Sequence, residues 1–170
     1  MEDFDINKSS KREYVLKMVR EKGSLLDLAS DALKDDKEVV MAAIGQDGNA
    51  LEFASKRLKD DKEVVLASVQ KVGWTVCYAS ESLRADKDIL LTGVKINGQE
   101  LYYASPELRD DEEVVLEAVK NKGLILKYAS KRLRANKEIV MAALQNDKRA
   151  KEYIADEELK IDEDIKVLLE

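Results

Sequence analysis

Three sets of residues in this chain have types and spacings that bear on chemistry. The first is a series of paired carboxylates, Asp35-Asp36, Asp60-Asp61 and Asp110-Asp111, such as acid–base chemistry or a divalent cation uses. The second is a column of cations, Lys34, Lys59, Arg84, Arg109 and Arg134, continued after a one-residue insertion by Lys160; such a row suits a polyanion like RNA or DNA. The third set pairs residues three apart whose identities vary: Ser24 with Asp27, Asn49 with Glu52, Trp74 with Cys77, Gln99 with Tyr102 and Leu124 with Lys127. Its middle holds the only Trp, the only thiol and an extra Tyr, and Trp and Tyr are favoured interface anchors.

Composition narrows the chemistry further. With no His in 170 residues, His-dependent triads, His general bases and His-ligated metals are excluded. Cys77 stands alone, without a His partner or a C-x-x-C context. It therefore predicts no catalytic thiol, zinc cluster or disulfide framework, and it fits a reducing compartment. Acidic residues outnumber basic ones by 35 to 29, a net charge of −6, which disfavours nucleic acid and anionic membranes unless the cations are segregated. The start, MEDFDINKSSKRE, lacks an apolar core, and the longest apolar runs, Val39–Ile44 and Ile139–Leu144, span six residues. That is too short for a leader or a membrane span. The expectation is a cytoplasmic protein with no membrane association, export without a cleavable signal staying open.

The elements that position these residues follow from an internal repeat. The chain realigns with itself every 25 residues, over 12–36, 37–61, 62–86, 87–111 and 112–136; a degenerate sixth copy, 137–162, is one residue longer. Counting columns from each repeat start, columns 3, 4, 5, 7 and 8 are mostly apolar, as in Val39, Val40, Met41, Ala43 and Ile44. At 100° per residue they cover an arc of about 200°, the stripe of a helix gripped from two sides. Asp36, Asp61, Asp86, Asp111 and Asn136 are its expected N-caps. Asp35 with Glu38, Asp60 with Glu63 and Asp110 with Glu113 have capping-box spacing if the cap lies one residue earlier. Gly23, Gly48, Gly73, Gly98 and Gly123 are expected to end it in the left-handed conformation.

A second short helix should bury Leu26 with Leu28, Leu51 with Phe53, Val76 with Tyr78, Leu101 with Tyr103 and Leu126 with Tyr128, the following Ala29, Ala54, Ala79, Ala104 and Ala129 permitting close approach. Ser30, Ser55, Ser80, Ser105 and Ser130 are then expected to cap a final turn that plants Leu33, Leu58, Leu83, Leu108 and Leu133 in the core. The sole proline, Pro106, follows one of these serines, where the first position of a turn tolerates it. One such repeat buries too little apolar surface to stand alone, so the repeats must stack. The predicted fold is all-α, a right-handed-type α-solenoid of about six 25-residue helix–turn–helix repeats over 12–162, with an N-terminal tail or cap at 1–11 and a cap helix at 163–170.

The string D-K-E-V-V-L-x-A-V-x-x-x-G-x-x-L-x-Y-A-S-x-x-L-R-x-D, nearly complete at 61–86 and 111–136, resembles the DUF4116 repeat family, and the likeness runs from Arg12 to Asp162. The resemblance implies a helical-repeat domain of unknown function that occurs in multiple copies in bacterial, protist and viral proteins. It implies no catalytic residue and no cofactor.

Within this frame the carboxylate pairs fall at helix starts, where they serve as caps, and no D-x-[DN]-x-[DN]-G loop surrounds them. The cation column falls at the ends of short helices, with an Asp or Asn one or two residues later, which spoils a phosphate track. Met18, Met41 and Met141 read as packing, and Tyr78, Tyr103, Tyr128 and Tyr153 as core or half-buried columns. The variable pairs therefore carry the preferred reading: a non-catalytic scaffold, without cofactor or metal and expected as a monomer. It would bind a protein or peptide along Asn49, Glu52, Trp74, Cys77, Gln99, Tyr102, Leu124 and Lys127. The alternative is anion binding along Lys34, Lys59, Arg84, Arg109, Arg134 and Lys160.

Overall fold

Each long helix starts where a side chain meets its first unpaired N–H groups. In the computed structural model, which describes residues 9–170, the Asp36 carboxylate accepts from the amides of Glu38 and Val39 at 3.0 and 3.2 Å. Asp61 and Asp86 cap in the same way, and Asp111 and Asn136 accept from Val114 and Ile139. These caps open helices at Lys37–Gln46, Lys62–Lys71, Lys87–Ile96, Glu112–Asn121 and Lys137–Asn146. A longer helix, Ser9–Glu21, precedes them, and Glu163–Leu169, capped by Asp162, follows. The tail or cap expected at 1–11 lies outside the described residues as far as residue 8, and Ser9 to Lys11 are helical. The cap is always the second acid of a pair, so Asp35, Asp60 and Asp110 do not form the capping boxes that their spacing allows.

Columns 3, 4, 7 and 8 are buried on these helices, as with Val114, Val115, Ala118 and Val119. They span an arc of about 140° at 100° per residue. Column 5, carrying Met41, Leu66, Leu91, Leu116 and Met141, is half-buried at the rim of that arc.

After one extended residue the chain enters the expected second short helix, which is a 3₁₀ helix of six residues: Gly23–Leu28, Gly48–Phe53, Gly73–Tyr78, Gly98–Tyr103, Gly123–Tyr128 and Lys148–Tyr153. Three residues per turn sort the side chains into three straight rows. Glycine, Leu or Val, and Ala share one row, so Leu26, Leu51, Val76, Leu101 and Leu126 are buried together with the five alanines after them. The second apolar residue of each pair falls on another row. That row is buried at its first residue, as at Ala50 and Glu100, and emerges at its second, so Leu28 is 69% exposed and Tyr103 38%, against the burial expected for both.

The glycines also act differently from expectation, because none of those described has a positive φ. Their reason is close approach. A Cβ on Gly98 would stand 2.3 Å from the Ala118 carbonyl oxygen of the next long helix, and one on Gly123 2.3 Å from that of Ala143.

Two compact units result, Met1–Leu83 and Arg84–Glu170. In the first, Ser9–Glu21 packs on Lys37–Gln46 and that on Lys62–Lys71, while the 3₁₀ segments Gly23–Leu28, Gly48–Phe53 and Gly73–Tyr78 stack beside them. In the second, Lys87–Ile96, Glu112–Asn121, Lys137–Asn146 and Glu163–Leu169 pack in series beside the 3₁₀ segments from Gly98 to Tyr153. No strand occurs among the described residues, and the fold is an all-α repeat solenoid. Each fully buried Val or Leu contributes roughly 1.5–3 kcal/mol, and within each unit that burial comes both from the 3₁₀ segment of the same repeat and from the neighbouring repeats.

Polar contacts fix the register between repeats. The first residue of a repeat pairs with the helix cap of the next: Arg12 with Asp36 at 2.7 Å, Lys37 with Asp61 at 2.8 Å, Lys87 with Asp111 at 2.9 Å and Lys137 with Asp162 at 2.8 Å. At the other end of the long helices, an amide side chain reaches back one repeat. Asn121 Oδ1 accepts from the Gly98 amide at 2.8 Å, and Asn146 Oδ1 from the Gly123 amide at 2.6 Å.

Candidate functional site

The paired carboxylates are absorbed by the fold. Asp36 and Asp61 cap helices and are held below the usual carboxylate range chiefly by Arg12 and Lys37 respectively. Their neighbours Asp35, Asp60 and Asp110 each accept from the serine hydroxyl of the following repeat, Ser55, Ser80 and Ser130. Those hydroxyls depress the carboxyl pKa, with Arg57 adding to the effect at Asp35, Ser82 at Asp60 and Arg132 at Asp110. The same serines cap their own turns as expected: Ser55, Ser80 and Ser130 accept from Leu58, Leu83 and Leu133, each at 3.2 Å. Ser30 makes no side-chain cap. Among the described residues, no group of three His, Cys, Asp or Glu side chains is placed to hold a metal.

The cation column lies against backbone carbonyls and acids. Lys59 Nζ donates to the Glu52 carbonyl at 2.6 Å, and burial pushes its pKa down, with Glu52 opposing. Arg109 donates to the carbonyls of Tyr102 at 2.7 Å and Ala104 at 3.1 Å, and Arg134 to that of Tyr153 at 3.4 Å. Lys34 is 3.9 Å from Asp27, and Lys160 is 2.6 Å from Glu157. The Nε atoms of Arg84 and Arg134 are buried without a hydrogen-bond partner. In Lys59 and Arg109 the positive charge sits at the end of the 3₁₀ segment of its own repeat, where the free carbonyls lie.

The variable pairs fall on the third row of the 3₁₀ segments, because residues three apart eclipse in that geometry. In the first unit, Trp74 is 42% exposed, and its ring centroid lies 5.6 Å from that of Tyr78. The Tyr78 hydroxyl in turn donates to the Glu52 carboxylate at 3.1 Å. Cys77 is half-buried and not in a disulfide. Asn49 donates to Asp47 at 2.9 Å, while its own Oδ1 is buried without a partner.

In the second unit, Tyr102 is 49% exposed and makes edge-on contacts with Tyr103 and Tyr128, both at 5.0 Å between centroids. Lys127 Nζ stands 4.7 Å from the centre of the Tyr128 ring, and Lys122 donates to Gln99 Oε1 at 2.7 Å. Leu124 is half-buried.

Two features had no reading at the level of sequence. Tyr103 and Tyr128 join Tyr102 in one aromatic cluster, because their column turns outward in the 3₁₀ geometry. Glu100 is buried at 1% exposure in a column that otherwise holds Leu25, Ala50, Thr75, Ile125 and Ala150. A carboxyl in a column of otherwise uncharged residues is a signal the sequence does contain.

No helix among the described residues is long and apolar enough to cross a membrane. No curated protein and no solved structure matches the chain. The family model described as Domain of unknown function (DUF4116) matches residues 11–59, 61–109 and 111–160, each stretch spanning two of the repeats. With those tandem matches covering most of its length, the chain belongs to the DUF4116 family.

Proposed function

We propose that the protein is a non-catalytic helical-repeat scaffold that binds a protein or peptide through the outward row of its 3₁₀ segments. One observation carries this reading: the Gly, Leu or Val, and Ala columns of the first five segments are buried, while the varying row presents Trp74 and Tyr102 at 42% and 49% exposure. Large aromatic side chains held on a rigid backbone offer contact area with little rotamer entropy to lose, which is the usual chemistry of interface anchors. The row also carries mixed polar character in Asn49, Glu52, Gln99 and Lys127, with Cys77 and Leu124 completing it. The carbonyl contacts of Lys59, Arg109 and Arg134 favour this reading over a polyanion track.

The test is a peptide-display selection against the intact chain, followed by titration of the enriched peptides using Trp74 fluorescence or calorimetry. Binding that weakens at least tenfold in Trp74→Ala or Tyr102→Ala supports the reading. Peptides indifferent to both changes but lost on Arg109→Ala or Arg134→Ala overturn it.

A further inference from the structure

The segment that carries Gln99 and Tyr102 is built around a buried carboxyl. Glu100 lies between them, 1% exposed, with Oε1 accepting from Asn97 Nδ2 at 3.0 Å and Oε2 buried without a hydrogen-bond partner. An unpaired carboxylate oxygen in such a place is costly, whereas a protonated carboxyl is far less so.

Within the second unit, three elements pack against this segment: Lys87–Ile96, Glu112–Asn121 and Gly123–Tyr128. Most of their charged groups are engaged elsewhere. Lys87 pairs with Asp111 and Glu113, Glu112 with Arg132, and Glu117 with Lys120. Lys122 holds Gln99 and Lys127 sits over Tyr128. Asp88, Lys95 and the phenols of Tyr102, Tyr103 and Tyr128 complete the titratable set on these elements and on the segment itself.

We infer that Glu100 is a proton-controlled device under the binding row: the neutral carboxyl holds the Gly98–Tyr103 segment closed, and its ionisation loosens the segment and displaces Gln99 and Tyr102. Burial raises the carboxyl to about 7, opposed by the Asn97 hydrogen bond, so the transition falls in the neutral range. The sign follows from linkage. The folded state holds this proton more tightly than the unfolded chain, so its stabilising effect is full below the ordinary glutamate range. It is lost as pH rises from there through the folded-state value. As far as the displaced residues serve a partner, the inference rests on the function proposed above, but its test needs no partner.

The experiment follows the full chain by NMR between about pH 4 and pH 8.5, with melting temperatures measured in parallel. The wild-type Glu100 carboxyl carbon should titrate near neutrality, with the amides of Gln99 and Tyr102 shifting at the same midpoint and Tm falling across the rise. Glu100→Gln, which keeps shape and hydrogen bonding, should abolish the shared midpoint and flatten the Tm profile. Glu100→Ala, matching Ala50 and Ala150 in the same column, should do likewise and guards against a folding defect in the first variant. A carboxyl titrating in the ordinary range, a variant profile parallel to wild type, or Gln99 and Tyr102 amides that stay still while Glu100 titrates each overturns the inference. Failure of the peptide selection leaves this result unaffected, so the two readings fail separately.

Discussion

The hydroxyl of Ser55 donates to the carboxylate of Asp35 in the preceding repeat, while the Ser55 amide donates to the Lys34 carbonyl at 2.9 Å. The same hydroxyl accepts from Leu58, so one serine caps a turn and latches two repeats together. Ser130 repeats the arrangement with Asp110 and the Arg109 carbonyl. Ser55→Ala and Ser130→Ala should each lower unfolding free energy by about 0.5–2 kcal/mol, the range for loss of a capping side chain. Urea denaturation of Ser55→Ala, Asp35→Ala and the double variant checks the latch: strictly additive losses would show that the two groups do not act together.

Acid should unfold the protein through these same carboxylates. Asp35, Asp36, Asp60, Asp61, Asp110 and Asp162 are all held below the ordinary range. The unfolded chain therefore takes up protons first as pH falls, so their stabilising effect is full above the ordinary carboxylate range and is lost as pH drops through the folded-state values. Urea midpoints measured from about pH 5 to pH 2.5 should fall steadily, and more shallowly in Asp35→Asn and Asp110→Asn. An unchanged slope in these variants would remove the latch from the account of acid stability.

Glycines in this chain should respond oppositely to the same substitution. Gly98→Ala and Gly123→Ala force a methyl against a backbone carbonyl at 2.3 Å and should lower stability by about 1–3 kcal/mol, the usual range for overpacking. Gly45 lies inside the helix Lys37–Gln46 with nothing near its missing Cβ. Gly45→Ala should raise stability by about 0.5–1 kcal/mol through helix propensity. Melting curves of the three variants decide the matter, and a neutral Gly123→Ala would contradict the close approach.

Asn121 and Asn146 each satisfy a glycine amide of the preceding repeat and donate back to carbonyls at the end of its long helix. Asn146→Ala leaves the Gly123 amide without its acceptor and should lower stability by about 1–3 kcal/mol. Hydrogen exchange at Gly123 should accelerate more than exchange elsewhere in the unit. Unchanged protection there would assign the amide to another partner.

How much could be read in advance divides along the kind of signal. The period, the caps at Asp36 through Asn136 and the apolar columns of the long helices were legible, because they depend on spacing and local hydrogen bonding. The cap serines from Ser55 onward were legible for the same reason. The 3₁₀ form of the second segment was not, since six residues with Leu and Tyr two apart suit either helix. That one uncertainty misplaced Leu28 and Tyr103, and it hid the column that contains Glu100. Trp74 and Tyr102 stood out by type alone, whereas their exposure depended on the geometry.

The sequence by itself determined a stack of helical repeats, because a pattern recurring every 25 residues can bury its apolar columns only against its own copies. Tertiary structure decided why the glycines are glycines, where Asp35, Asp60 and Asp110 point, and what the cations at Lys59 and Arg109 touch. The aspartates depend on a serine twenty residues away in the next repeat and the glycines on a carbonyl of the next long helix, whereas the cations reach carbonyls five to seven residues back in their own repeat. Spacing within one repeat fixes local conformation, but only the folded path of the chain brings the cations onto their carbonyls, and only packing brings a carbonyl or hydroxyl of the neighbouring repeat to the glycines and aspartates.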